Sequence, residues 1–134
     1  MPPPLPVPLD DLNHVIAHYN YVEVVWDGPQ DENTIRKTNA EAVKAAELLK
    51  AKNKPILLSL DVQNHPLTPN MGAFKEVIKI FRATSFDRIA VSGSVAPTIM
   101  TLVSTVTSSF NREFEISYFV NQKDALSWLL SYKK

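Results

Sequence analysis

The run Ile56-Leu57-Leu58-Ser59-Leu60-Asp61-Val62 narrows the fold of this chain more than any other stretch. It is short and nearly all apolar, with Pro55 on one side and the polar residues Gln63-Asn64-His65-Pro66 on the other. A run of that kind suits a strand buried on both faces. Such strands lie in the middle of mostly parallel sheets, with helices packed against them. A polar loop follows Asp61, outside the carboxyl end of the strand, where α/β sheets place their binding sites.

The flanking sequence predicts an α/β domain with the order ββαβαβαβα. Residues 14–19 and 21–26 are rich in Val, Ile, Tyr and Trp, and predict an antiparallel hairpin joined at Asn20. Asp27-Gly28-Pro29 stops the second strand. Asp31 offers an N-cap, and Ile35, Ala42, Ala46 and Leu49 recur at helical spacing, which predicts a helix over 32–52. Thr68-Pro69 opens a second helix, with Met71, Phe74, Val77, Ile78 and Phe81 as its buried stripe. Residues 88–92 form another buried strand. Pro97 then begins a helix carrying Ile99, Met100, Val103, Val106 and Phe110 on one face. That helix is rich in Ser and Thr, so tertiary packing must hold it. A last strand covers 115–120. Asn121 and Asp124 have nearly the spacing of a capping box ahead of a final helix, whose apolar face is Ala125, Trp128, Leu129 and Tyr132. Strands alternating with helices imply parallel pairing and right-handed crossovers after the first hairpin.

A length of 134 residues predicts one domain with its own core, here 13–134, behind a proline-rich tail over 1–12. Five prolines in the first eight residues exclude a helix or an interior strand, and leave an extended polyproline-like segment. Pro3 and Pro6 have a PxxP spacing, but no Arg or Lys flanks them, so a surface tail is the reading. The formal net charge is zero, which points neither to nucleic acid nor to an anionic membrane. No apolar run approaches the ~20 residues of a membrane span. The N-terminus lacks the basic-then-apolar pattern of a secretory signal. The absence of cysteine excludes disulfides, thiolate nucleophiles and Cys-based zinc sites, and fits a cytoplasmic protein. Only Gly28, Gly72 and Gly93 are present, and they build neither a dinucleotide fingerprint nor a phosphate loop. No cofactor is expected.

Two polar loops, 61–68 and 92–96, should leave adjacent strands and lead into helix N-termini with free amides, a crevice suited to an anionic group. The candidate contact residues are Asp61, His65, Thr68, Asn70, Ser92 and Ser94. Asp61, His65 and either Ser92 or Ser94 would also supply the acid, base and hydroxyl of a nucleophilic site, so a small hydrolase is the alternative. No Gly-x-Ser-x-Gly elbow surrounds either serine, and no catalytic residue is assigned. His14 and His18 would stand about 13 Å apart on a strand, too far to share a metal ion. No metal site is expected. Phe74, Phe81, Met100, Phe110 and Trp128 read as core at helical spacing.

The element order resembles the STAS fold, named for sulfate transporters and anti-sigma-factor antagonists. Two segments are similar to its SpoIIAA-like branch: Phe86-Asp87-Arg88-Ile89-Ala90-Val91-Ser92-Gly93, and Glu115-Ile116-Ser117-Tyr118-Phe119 followed by Asp124-Ala125-Leu126-Ser127-Trp128-Leu129-Leu130. The resemblance implies a mixed sheet with the first strand antiparallel and the rest parallel. It also implies a regulatory or binding module, not an enzyme, engaging a protein partner or a small ligand. In the anti-sigma-factor antagonists an Asp-Ser-Ser-Gly pattern follows the central strand, and phosphorylation of its first serine breaks binding to a partner kinase. Matching that glycine to Gly72 puts Pro69-Asn70-Met71 in place of Asp-Ser-Ser. Thr68 is the one nearby hydroxyl that could accept a phosphate, and its role as an N-cap already explains it. The edge of the first hairpin offers a route to a homodimer.

Overall fold

The computed structural model describes residues 13–27, 32–63, 75–76, 78–79, 86–95, 97–108 and 115–132. The elements are β1 (His14–Ala17), β2 (Val22–Val25), α1 (Glu32–Ala51), β3 (Leu57–Asp61), β4 (Arg88–Ser92), α2 (Pro97–Thr107), β5 (Glu115–Phe119) and α3 (Gln122–Leu130). Residues 75, 76, 78 and 79 are helical, between β3 and β4. The tail over 1–12 and the stripe residues Met71, Phe74, Val77 and Phe81 lie outside the described residues.

One sheet carries the strands in the order β1-β2-β3-β4-β5. β1 pairs antiparallel with β2, and every later pair is parallel, as the sequence predicts. When parallel neighbours are also chain neighbours, right-handed crossovers bring all the connecting helices onto one face. Burial follows that rule. Val22, Val24, Leu58, Leu60, Ile89 and Val91 share one cluster with Ile35 and Ala46 of α1, with Ile78, and with Ile99 and Val103 of α2. The alternate residues Leu57 and Ala90 meet Ala125 and Leu129 of α3 in a second cluster. α3 is not a crossover, so it is free to close the other face, and three layers result.

The helix ends obey local chemistry. α1 stops in a Schellman motif: Lys54 N donates to Leu49 O, Asn53 N donates to Lys50 O, and Asn53 takes the left-handed conformation at φ 57°. At the start of α3, the Asn121 side chain accepts from Asp124 N at 2.9 Å, the cap predicted from the sequence. The first hairpin is shorter than predicted. His18 N donates to Tyr21 O, the two rings stack 4.3 Å apart, and Lys54 Nζ holds Tyr19 O and the Asn20 side chain. These contacts bend the chain at Tyr19 and Asn20 and take both out of the ladder.

Arg88 fastens the far end of α3. Its guanidinium lies 4.2 Å from the Trp128 ring centroid, donates to Trp128 O and Ser131 Oγ, and pairs with Glu115. A cation at the last carbonyls of a helix also complements the helix dipole.

On the opposite face, Glu76 is buried and accepts from Lys79 Nζ at 2.9 Å and Arg36 Nη2 at 3.2 Å. The Lys79 hydrogen bond is the largest influence on its carboxyl, burial opposes it, and Arg36 adds to it, with the net effect that the carboxyl sits below its ordinary 4.5. A carboxyl lowered by folding stabilises the native state above its ordinary value, and that contribution is lost as pH falls through the lowered one. The urea midpoint of the wild type is therefore expected to drop below pH 4.5. Glu76→Gln should flatten that part of the profile, and an equally steep acid limb in the variant would refute the assignment.

Candidate functional site

The carboxyl ends of the parallel strands are stitched together beyond the ladder. Trp26 N donates to Asp61 O, Val62 N to Ser92 O at 2.8 Å, and Gly93 N to Phe119 O at 2.8 Å. Asp61 and Ser92 are register partners, so the turns leaving β3 and β4 share one rim. Gly93 makes that closeness possible. It has φ 124°, and a Cβ there would lie 2.7 Å from Val62 C and 2.8 Å from Gln63 N.

The candidate residues divide at this rim. Asp61 Oδ1 accepts from Gln63 N at 2.9 Å and from Gln63 Nε2 at 3.1 Å, a side-chain turn that fixes the loop as it leaves β3. Ser94 is exposed, two residues past the end of β4, and α2 begins three residues later. Ser92 is fully buried, and its hydroxyl donates to Gln122 Oε1 at 2.7 Å. The rim thus brings together Asp61, Ser92 and Ser94. His65, Thr68 and Asn70 lie outside the described residues.

Beneath the rim runs a hydrogen-bonded chain that sequence reading missed. Gln122, the first residue of α3, accepts from Ser92, donates through Nε2 to Ser59 Oγ at 3.1 Å, and reaches Glu23 Oε2 at 3.4 Å. The other Glu23 oxygen pairs with His18 Nε2 at 2.7 Å. Desolvation, with the Glu23 carboxylate adding to it, raises the neighbouring Tyr21 phenol. Ser59 was the available signal, because a hydroxyl inside an apolar two-face strand demands a partner. The chain can orient the His18 imidazole against a carboxylate. The hydroxyls of Ser59 and Ser92 are closed to solvent.

Two other features bear on chemistry. Tyr118 Oη, on the opposite face, is the one buried side-chain polar atom among the described residues without a hydrogen-bond partner, and burial raises its phenol. An open groove of about 370 Å³ lies between β1 and α1, lined by Asn13, Val15, Lys37, Thr38 and Glu41. Among the described residues, no three His, Asp or Glu side chains stand close enough to hold a metal ion. No described helix is long and apolar enough to cross a membrane.

Gly93→Ala should cost at least about 2 kcal/mol in urea unfolding, because the new methyl meets backbone that cannot step aside and the φ is hostile to a side chain. A loss under about 0.5 kcal/mol would show that the two turns do not bear on one another there. No family model and no curated protein matches the sequence.

Proposed function

We propose that this chain is a non-catalytic binding module of the STAS type, nearest to the SpoIIAA-like branch, acting in the cytoplasm. It engages a protein partner or a small ligand through the turns that leave β3 and β4. The observation that carries the reading is the shared rim: Asp61 and Ser92 in register, with Gly93 against Val62 and Gln63. Exposed Gln63 and Ser94 supply polar contacts on a rigid base, the arrangement that serves recognition in open α/β sheets. The mixed sheet and its element order agree with the family resemblance. The burial of Ser92 and its bond to Gln122 favour binding over nucleophilic chemistry.

A thermal-shift panel of metabolites and anions, followed by amide mapping with any stabilising compound, tests the reading. Perturbed amides should concentrate at Asp61, Gln63, Gly93, Ser94 and Val95, and Ser94→Arg should abolish the stabilisation while leaving the unliganded melting point unchanged. Perturbation confined to other surfaces would overturn the assignment of the rim. Hydrolysis of a simple aryl ester that disappears in Ser92→Ala would overturn the non-catalytic reading in favour of the hydrolase.

A further inference from the structure

β1 forms one border of the sheet, and three observations about it converge. The first concerns the direction of its main chain. His18 N donates inward to Tyr21 O, so by alternation the amide and carbonyl groups of His14 and Ile16 also face β2. Those of Val15 and Ala17 face outward, and the sheet order gives β1 no second neighbour among the described residues. The second is composition. Sheet borders are normally guarded by Lys, Pro, a bulge or an inward charge. The strand His14-Val15-Ile16-Ala17 carries no Lys and no Pro, and its register with β2 runs without a bulge.

The third is where apolar surface is exposed. Six large apolar side chains are exposed among the described residues: Ile16 at 44% lies in this strand, Tyr19 at 73% in the bend after it, and Leu48 at 56% on α1, the helix that packs against β1. Leu48 belongs to the row of α1 that starts at Thr34 and Thr38, spaced three and four residues apart. That row is held over the start of β1 by the hydrogen bond from Asn13 Nδ2 to Thr38 Oγ1 at 2.8 Å.

We propose that β1 is the contact strand of a two-fold homodimer, pairing antiparallel with β1 of a second copy so that one sheet runs through both. The occupant is a second copy because the border is complementary to itself. With the two-fold axis through Ile16, Val15 of each copy stands opposite Ala17 of the other as a hydrogen-bonded pair, and every outward donor and acceptor of these two residues is satisfied. Ile16 then meets Ile16 of the second copy at the closer, non-hydrogen-bonded spacing, which suits a pair of β-branched side chains. The same register sets His14 opposite His18 of the second copy. Each imidazole already has a carboxylate in its own chain, Asp27 at 3.9 Å and Glu23 at 2.7 Å, so the pairing brings no uncompensated like charges together. A four-residue strand alone falls short of the roughly 800 Å² per partner of a stable interface. Leu48, and the part of the Tyr19 ring that the Lys54 ammonium does not cover, supply apolar surface toward the remainder. The contact lies two strands from the rim of β3 and β4 and leaves Asp61 and Ser94 open, so the dimer stands or falls independently of the binding role.

The test uses the full chain in light scattering and amide hydrogen exchange from micromolar to millimolar protein. The wild type should reach twice the chain mass, and exchange at the Val15 and Ala17 amides should slow at least tenfold with concentration. Ala17→Pro removes an outward donor without touching the ladder to β2, and Ile16→Lys places a charge at the axis. Each should raise the dimer dissociation constant at least tenfold with the monomer's circular dichroism unchanged, whereas Leu102→Lys on α2 should leave it alone. A wild type that stays at the chain mass at millimolar concentration overturns the proposal. So does a dimer in which exchange at Val15 and Ala17 is independent of concentration, or one that survives both border variants.

Discussion

Everything in this fold depends on the parallel pairing of β3 with β4, buried on both sides. Leu58, Leu60, Ile89 and Val91 face the layer formed by α1 and α2, while Leu57 and Ala90 face α3. Burying a side chain of this size stabilises by about 1.5–3 kcal/mol, so this pair of short strands anchors both layers at once. Its ends are held as firmly as its middle. Asp87 and Ile56 exchange hydrogen bonds where the strands begin, and Val62 N closes on Ser92 O where they stop. The turn positions around Gly93 project directly from this base, with Gly93 set against the backbone of Val62 and Gln63.

The second face is organised differently, by polar groups at either end of α3. Arg88 seizes the carbonyl end of that helix and Gln122 occupies its first turn. Between them Ala125 and Leu129 are set on Leu57 and Ala90, with Tyr21, Phe119, Leu126, Trp128 and Tyr132 packed around them. Apolar burial is non-directional and does not by itself choose the register of the helix on the strands. Hydrogen bonds to fixed partners on the strands do choose it, since a shift of one residue would leave the Ser59 and Ser92 hydroxyls buried without partners at a cost of about 1–3 kcal/mol each. The polar contacts therefore set the placement of the helix, and the apolar ones supply adhesion.

This division also explains what could be read from the sequence. The strand at 56–62, the N-cap at Asn121 and the order of elements depend on spacings of a few residues, where alternation and capping chemistry operate. The antiparallel first pair followed by parallel ones came through for the same reason. Gln122 meets Ser59 and Glu23 from sequence separations of 63 and 99 residues. No local pattern encodes such contacts. Glu76 was likewise illegible: it looks like a surface carboxylate on its helix until Arg36 arrives from a separate one. Ser92 illustrates the mixed case. Its position at the end of a strand was readable, but the helix above its hydroxyl was not, and neither was the hydrogen bond it donates to Gln122.

Polarity on the second face is graded by access to water. Under the body of α3 the strands present Leu57 and Ala90. Under its first turn they present the neutral hydroxyls of Ser59 and Ser92, each with no solvent exposure. Farther out, where α3 no longer covers the sheet, come Glu23 and His18, with side chains 18% and 35% exposed. An ionised carboxylate at the position of Ser59 would lose its hydration and gain no full counter-charge, a penalty of several kcal/mol. Placed at Glu23, it keeps partial hydration, a histidine and an amide. Gln122 stands at the boundary because its carboxamide can accept from the buried side and donate to the charged side at once. One neutral residue thus reconciles the two environments, and the face remains hydrogen-bonded from its dry centre to its wet margin.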